Sequence, residues 1–441
     1  MSRRFYLFLA SKVQTKIVIL FWDGYIPYIQ VEYNYIYMAQ YNAQSIPPKR
    51  SKKLLFFGII TSIILATVCY VGYVYLFVDA RFTPTPVTST VSFETYTPNY
   101  PAYGSSGVAL VGTNIMLSNN NLQLPIASTA KIVAALTILD ALKDKDIKNE
   151  YLIINEADVA ITNAYKAKDG SIAATPLGAR VSYYAALQYM LIISANNYTD
   201  ILTQRVFGTP QAYNAAATSY LQKKGLNSTA IVDATGFSPA TASTAQDMLQ
   251  IGTLAVDNPT ISEITQQRSV VQLNGVTTKS TNLFLPNPNG EVIGLKTGFT
   301  DEAKAVFLNA TQLPNGSKIV SIAMGADTPT ASQTDSGALA TSLANTIKDE
   351  TLFAAKQTIT TIALPWGEKA TIYTKDAVGI PNAAAQDIAY SVSLNSLNKN
   401  TTNNDTVGTT TVRSALAEKT FPVYIENYQP APFFWRLTHP F

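Results

Sequence analysis

The sequence predicts an α+β fold in which one antiparallel sheet is assembled from two distant stretches of chain, with the helices segregated between them. Three observations predict it. A hairpin pattern opens the folded region, where "GVALV" (107–111) and "NIMLS" (114–118) flank the turn "GTN". Three strand-like runs come late: "VIGLKT" (292–297), "AVFLNAT" (305–311) and, after the turn "PNG", "KIVSIAMGA" (318–326). The long stretch between is helical in period, including 131–142, 183–193 and 211–224, with little strand–helix–strand alternation. A further helix is expected over 336–356, where Leu339, Leu343 and Ile347 share one face.

The flanking elements follow in order. Residues 54–78, "LLFFGIITSIILATVCYVGYVYLFV", form an uncharged run of about 25 residues, and a membrane-spanning helix needs about 20. Lys49, Arg50, Lys52 and Lys53 precede it, so residues 1–53 are expected in the cytoplasm and everything after Val78 outside. A cleaved signal peptide has an apolar core of only about 7–15 residues, so the run reads as an uncleaved anchor in the cell membrane. Cys69 is a poor lipidation site, because Val68 stands where a small residue is wanted. Residues 1–37 are rich in Tyr and Ile without a sustained period. Met38 is a more ordinary start, which would make 1–37 a mis-called extension. Residues 79–99 are rich in Pro and Thr and read as an extended linker. Residues 100–356 hold the split sheet, and 357–427, with short strand candidates and Asn-rich turns, read as a small β-domain. The tail 428–441, "YQPAPFFWRLTHPF", is too short to span a membrane and reads as a strand or plug packed on that β-domain.

Composition removes most chemistries. With 32 basic and 29 acidic residues there is no basic stripe to recruit nucleic acid. The single Cys, Cys69, excludes an intrachain disulfide and a thiolate metal cluster. The single His, His439, lies near the end of the chain in a Pro-bounded tail, where it reads as a surface or packing residue. A Ser-His-Asp triad and a multi-histidine metal site are therefore both poorly served, and the expectation is catalysis without imidazole, metal or cofactor.

One short stretch suggests how. In "LPIASTAKIVAALTIL" (124–139), Ser128 and Lys131 stand three apart at the start of a helix that is apolar on nearly all faces. Residues at that spacing share a helix face, so Lys131 Nζ can reach Ser128 Oγ. A serine hydroxyl is a poor nucleophile without a base. A lysine can be that base if burial or a nearby cation lowers its pKa. Backbone N–H groups at the helix start suit a developing oxyanion. The bland alternative is that Ser128 caps the helix while Lys131 extends to water. A chain of this length holds about one or two Ser-x-x-Lys pairs by chance. A second pair, Ser396–Lys399, sits in a polar loop and is taken as noise.

Two further elements shift the balance. Ser194-Ala195-Asn196 ends an apolar helical run, although Ser-x-Asn also occurs at 118–120 and 280–282. Lys296-Thr297-Gly298 ends a strand and is the only Lys-Thr-Gly in the chain. Gly298 lets a substrate backbone approach the strand edge, and Lys296 supplies a second cation to depress Lys131 and attract a carboxylate.

Ser128-x-x-Lys131, Ser194-x-Asn196 and Lys296-Thr297-Gly298 resemble the three signatures of penicillin-binding proteins and serine β-lactamases. More narrowly, "IASTAKIVAAL", "SANN", "DATGFSP" with "TASTAQDM", and "GLKTGFTDEA" look like the low-molecular-mass D-alanyl-D-alanine carboxypeptidases. The resemblance covers about residues 100–350. It implies a five-stranded antiparallel sheet with a helical cluster, in agreement with the split-sheet reading. It also implies a substrate, peptidoglycan stem peptides ending in D-Ala-D-Ala, and covalent inhibition by β-lactams. By that resemblance Ser128 attacks the carbonyl between the D-alanines and Lys131 is its base. Ser194 relays the proton to the leaving amine, and Asn196 holds the substrate amide. Lys296, Thr297 and Gly298 line the edge that binds the terminal carboxylate, and the backbone N–H groups of Ser128 and Phe299 form the oxyanion hole.

Departures from the family pattern remain. Asn197-Tyr198 follow the second motif where an acidic or small residue is common, and residues beyond 357 match nothing obvious. An N-terminal anchor also differs from members held by a C-terminal amphipathic helix. A D,D-endopeptidase or transpeptidase on the same scaffold is an open alternative. A β-lactamase is disfavoured, because Glu263 and Glu291, the only glutamates between Asn196 and Lys296, lack a Glu-x-x-x-Asn setting. A non-catalytic wall-binding protein is disfavoured because all three motifs are intact.

Overall fold

A computed structural model describes residues 52–285 and 292–439, together with the backbone of two paired two-residue strands, Val18–Ile19 and Ile29–Gln30. The expectation for residues 1–37 as an extension, and the basic pair Lys49 and Arg50, lie outside the described side chains. The chain divides into two units, Met1–Leu76 and Phe77–Phe441.

In the first unit, helix α1 (Lys52–Phe77) is a continuous apolar helix of 26 residues. At 1.5 Å per residue it is about 39 Å long, enough to cross a bilayer's hydrocarbon. Its Ser and Thr hydroxyls are satisfied within the helix: Thr61, Ser62 and Thr67 donate to carbonyls four residues back, at 2.8–2.9 Å. That is the arrangement an apolar solvent requires.

The second unit begins with strand β1 (Val87–Val91), then β2 (Ser105–Leu110) and β3 (Met116–Ser118). The helical middle holds α2 (Ala130–Ala141), α3 (Glu156–Lys166), α4 (Tyr183–Ile192), α5 (Asn196–Phe207), α6 (Pro210–Lys223), α7 (Ala245–Asp257) and α8 (Pro259–Thr265). The strands β4 (Val292–Thr300), β5 (Lys304–Gln312) and β6 (Lys318–Ala326) return, and α9 (Pro329–Ala344) follows. These form the expected five-stranded sheet in the order β4-β5-β6-β2-β3, antiparallel at every step. The late strands and the early hairpin meet where β6 pairs with β2, Ile322 opposite Gly107.

Alternation on β6 shows how the sheet is covered on both faces. Val320, Ile322 and Met324 join the core that holds α2 and α7. Ile319 packs instead with Leu339 and Leu343 of α9, and Ser321 bonds Ser336 on the same side. Side chains two apart share a face, so the strand reads as continuously apolar. Helix α2 is buried from Ala130 through Ile138, as its all-round apolar sequence requires.

Three expectations differ from the structure. The helix expected over 336–356 runs instead from Pro329 to Ala344. Thr328 caps it by accepting from Ala331 N–H, and Pro329 opens it, so its start was written in "TP" rather than in leucine spacing. Beyond it, Lys348–Phe353 is strand β7, paired with β10 (Val378–Asn382). The linker 79–99, read as an extended spacer, contributes β1 to the C-terminal sheet. That sheet has the order β8 (Thr358–Ala363), β9 (Lys369–Tyr373), β13 (Glu418–Glu426), β12 (Thr406–Arg413), β11 (Ile388–Leu394), β1. The tail forms a short helix, α10 (Phe433–Thr438), rather than a strand. It does pack on the β-domain, where Trp435 meets Trp366 at 5.6 Å between ring centres. His439 stacks on Trp435 at 4.4 Å, so the sole histidine is a packing residue.

Candidate active site

The nucleophile candidate sits on a tight turn. Ala127–Thr129 is a single 3₁₀ turn that leads into α2, and Ala127 has φ of +44°, a conformation that non-glycine residues seldom adopt. Two glycines pack closely against that turn. A Cβ on Gly236 would stand 1.8 Å from Ala127 O. One on Gly298 would stand 2.9 Å from both Ala127 Cβ and Ser128 N. The sequence reading assigned the space at Gly298 to an approaching substrate. The structure fills it with the nucleophile's own turn, and so fixes β4 against Ser128.

The bland alternative for the first motif is not what the structure holds. Ser128 makes no helix cap, since neither turn has a side-chain cap bond, and Lys131 is fully buried. Lys131 Nζ lies 2.8 Å from Ser128 Oγ, 2.7 Å from Asn196 Oδ1 and 2.9 Å from the Thr235 carbonyl. The last two can only accept. A neutral amine has two N–H bonds and one lone pair, so both N–H bonds go to Asn196 and Thr235. The lone pair is left facing the Ser128 hydroxyl, as a general base requires.

The electrostatics favour that neutral form. Burial pushes Lys131 down from its ordinary value to about 7, although Asp233 and Asp200 act in the opposite direction. Burial is thus the leading cause, where the sequence reading had named Lys296 as a depressing cation. Lys296, also fully buried, is held well below the ordinary lysine value by burial and then by repulsion from Lys131. Its Nζ donates to Thr297 O at 2.8 Å. Thr297 Oγ1 donates to Thr281 Oγ1 at 2.6 Å. Phe299, next along β4, is half exposed.

The second motif lies in the connection from α4 to α5. Ser194 is buried with φ of +63°, and Asn196 opens α5, which aims its side chain back at Lys131. Asn197 and Tyr198, the departures noted in the sequence, turn the other way. Asn197 accepts from Ala173 N–H and donates to Ala173 O, and Tyr198 donates to Ala174 O. They pin the segment after α3 onto α5. The structure therefore brings together Ser128, Lys131, Asn196 and the β4 edge with Lys296, Thr297 and Gly298.

Sequence reasoning missed one part of the site. Asp233 accepts from Thr235 Oγ1 at 2.6 Å, from Phe237 N–H at 2.9 Å and from Thr241 Oγ1 at 2.5 Å. This ties the "DATGF" loop so that the Thr235 carbonyl meets Lys131 and Gly236 meets Ala127. The signal was present, since an Asp two residues before a Thr-Gly pair is a side-chain-stabilised turn.

Residues 110–328 match the family described as D-alanyl-D-alanine carboxypeptidase. This segment belongs to that family. The chain is 26% identical over 247 residues to the D-alanyl-D-alanine endopeptidase of Escherichia coli, covering 54% of this chain and 77% of that protein. It is 24% identical over 258 residues to the D-alanyl-D-alanine carboxypeptidase DacC of the same organism, covering 58% and 63%. Among solved structures, penicillin-binding protein 5 from Haemophilus influenzae superposes with a TM-score of 0.54 at 18% identity, over 76% of this chain and 98% of that one. That likeness is one of fold, and it covers more of the chain than residues 110–328, so it reaches beyond the family-matched segment.

Proposed function

We propose that this chain is a membrane-anchored serine D,D-carboxypeptidase that removes the terminal D-alanine from peptidoglycan stem pentapeptides through an acyl-enzyme on Ser128. The observation that carries the reading is the buried Lys131 amine. Its two acceptor neighbours leave its lone pair for Ser128 Oγ. Lys131 takes the Ser128 proton as Oγ attacks the carbonyl between the two D-alanines. The oxyanion is met by the N–H groups of Ser128 and Phe299. Ser194 passes the proton to the leaving amine and Asn196 holds the acyl-side amide. Lys296 and Thr297, on the edge kept close by Gly298, receive the terminal carboxylate. Water then releases the shortened peptide, and a β-lactam would be trapped at the acyl stage.

Helix α1 serves as a single-pass anchor, with the cationic end inside and the catalytic domain outside the cytoplasm. The peptidase domain spans residues from about 100 to the end of α9, and the β-domain begins with β7.

A second reading, D,D-endopeptidase, is favoured by the name of the Escherichia coli relative at 26% identity. The acyl half of the reaction is the same, and only the leaving amine differs. Mass spectrometry after incubation with a D-Ala-D-Ala-ended muropeptide and with a cross-linked dimer separates the two. Loss of one alanine marks the carboxypeptidase, and cleavage of the dimer marks the endopeptidase. Ser128→Ala should lower either activity by roughly 10³-fold or more and abolish penicillin labelling. Labelling that survives in that variant would overturn the assignment.

A further inference from the structure

The Ser-x-Asn run at 280–282, commonplace as a sequence match, comes to lie against β4 in the folded chain. Its middle residue, Thr281, is exposed, and its hydroxyl accepts from Thr297 Oγ1 at 2.6 Å. Thr281 N–H donates at 3.2 Å to the carbonyl of Ile192, the last residue of α4 and two before Ser194. Thr281 thus bridges the second motif and the third. The chain around it is pinned. Ser280 N–H donates to Arg268 O at 2.8 Å, and buried Asn282 accepts from Phe284 N–H at 3.0 Å. Leu283 N–H donates to Gln333 Oε1 of α9 at 2.7 Å, and the Phe284 ring meets Phe307 of β5 edge-on with 5.9 Å between centres. Lys296 lies buried under the same edge with its Nζ on Thr297 O, which leaves hydroxyls as the side-chain donors at the surface there. A hydroxyl carries one proton and two lone pairs. With the Thr297 proton spent on Thr281, the proton left for a ligand is that of Thr281. The mechanism above does not use it.

We propose that Thr281 is a specificity-determining residue: its hydroxyl donates to the substrate's terminal carboxylate while accepting from Thr297, so that the two threonines read the carboxylate as one hydrogen-bonded pair. This rests on the D,D-peptidase reading, which puts that carboxylate on the β4 edge, and deepens it. A hydroxyl that already accepts one bond is polarised as a donor in the next. Its bond to a carboxylate is charge-assisted, and about twice as strong as one to a neutral oxygen. A substrate ending in a carboxamide keeps the shape of the acid but accepts only as a neutral group, so the pair separates acid from amide. The bridge to Ile192 fixes the height at which the pair stands beside the second motif.

The test uses the full chain in detergent and two synthetic pentapeptides, one ending in D-Ala-D-Ala and the other in the matching C-terminal carboxamide. Release of D-alanine or D-alaninamide gives kcat/KM for each, and the wild type should favour the acid. Thr281→Val keeps the shape and the backbone bond to Ile192. It should lower kcat/KM roughly tenfold for the acid and only about two- to threefold for the amide, so that the acid-to-amide ratio falls about fourfold. Thr281→Ser, which returns the hydroxyl, should restore the ratio. A threonine that served structure alone would lower both substrates equally. A wild-type ratio of one, a ratio unchanged in Thr281→Val, or a ratio that Thr281→Ser fails to restore overturns the role of Thr281 and leaves the D,D-peptidase reading standing. Release of no D-alanine from the acid by the wild type overturns that reading, and the role of Thr281 with it.

Discussion

With burial holding Lys131 at about 7, half of the molecules carry a neutral base at that pH, and the neutral fraction rises above it. The second-order rate of penicillin acylation should therefore climb with pH, be half-maximal near pH 7, and fall about tenfold per unit well below it. Stopped-flow measurement from pH 5 to 9 checks this, and a flat profile would remove Lys131 as the base. Gly298→Ala tests the turn itself. The added methyl would press on Ser128 N, so acylation should drop at least about tenfold while the melting temperature moves little. Much of the candidate site was legible in the residues: Ser128 and Lys131 were paired by spacing, Asn196 and the Lys-Thr-Gly edge entered through their motifs and the resemblance these carry, and the fold gathers them. The turn at Asp233 was legible too, but not its worth, which lies in a carbonyl and a glycine contact that only the folded loop creates.

Helices read well where an apolar face repeats and poorly where the decisive signal is a cap. Helix α2 was read through its core, whereas α9 was displaced because Leu339 and Leu343 outweighed "DTPTAS" in the reading. Thr328→Ala removes the side chain that accepts from Ala331 N–H, and should cost about 1 kcal/mol in urea unfolding without altering acylation. A change below about 0.3 kcal/mol would mean that packing on the sheet fixes this end of α9 without the cap. The strand β7 was lost for the same reason, since Ile347 extended a helical period into residues that pair with β10 instead.

Across the whole molecule, the split sheet was legible because its two halves carry hairpin and strand patterns that neither half can bury alone. The return of the linker to the C-terminal sheet was not, because "VTSTV" has only five residues and its partner lies about 300 positions away. A soluble form beginning at residue 96 should melt a few degrees below one beginning at residue 79, since it leaves β11 as a bare edge. Equal melting temperatures would mean that β1 adds nothing to the β-domain. The pairing also decides where mechanical load falls. Any tension drawn along the polypeptide from the anchor reaches the Phe82–Leu397 bridge and then the paired residues Val87–Val91 and Ile388–Val392 before it reaches Ser105. The strands beside Ser128 lie downstream of that clasp and feel none of the pull until it gives way.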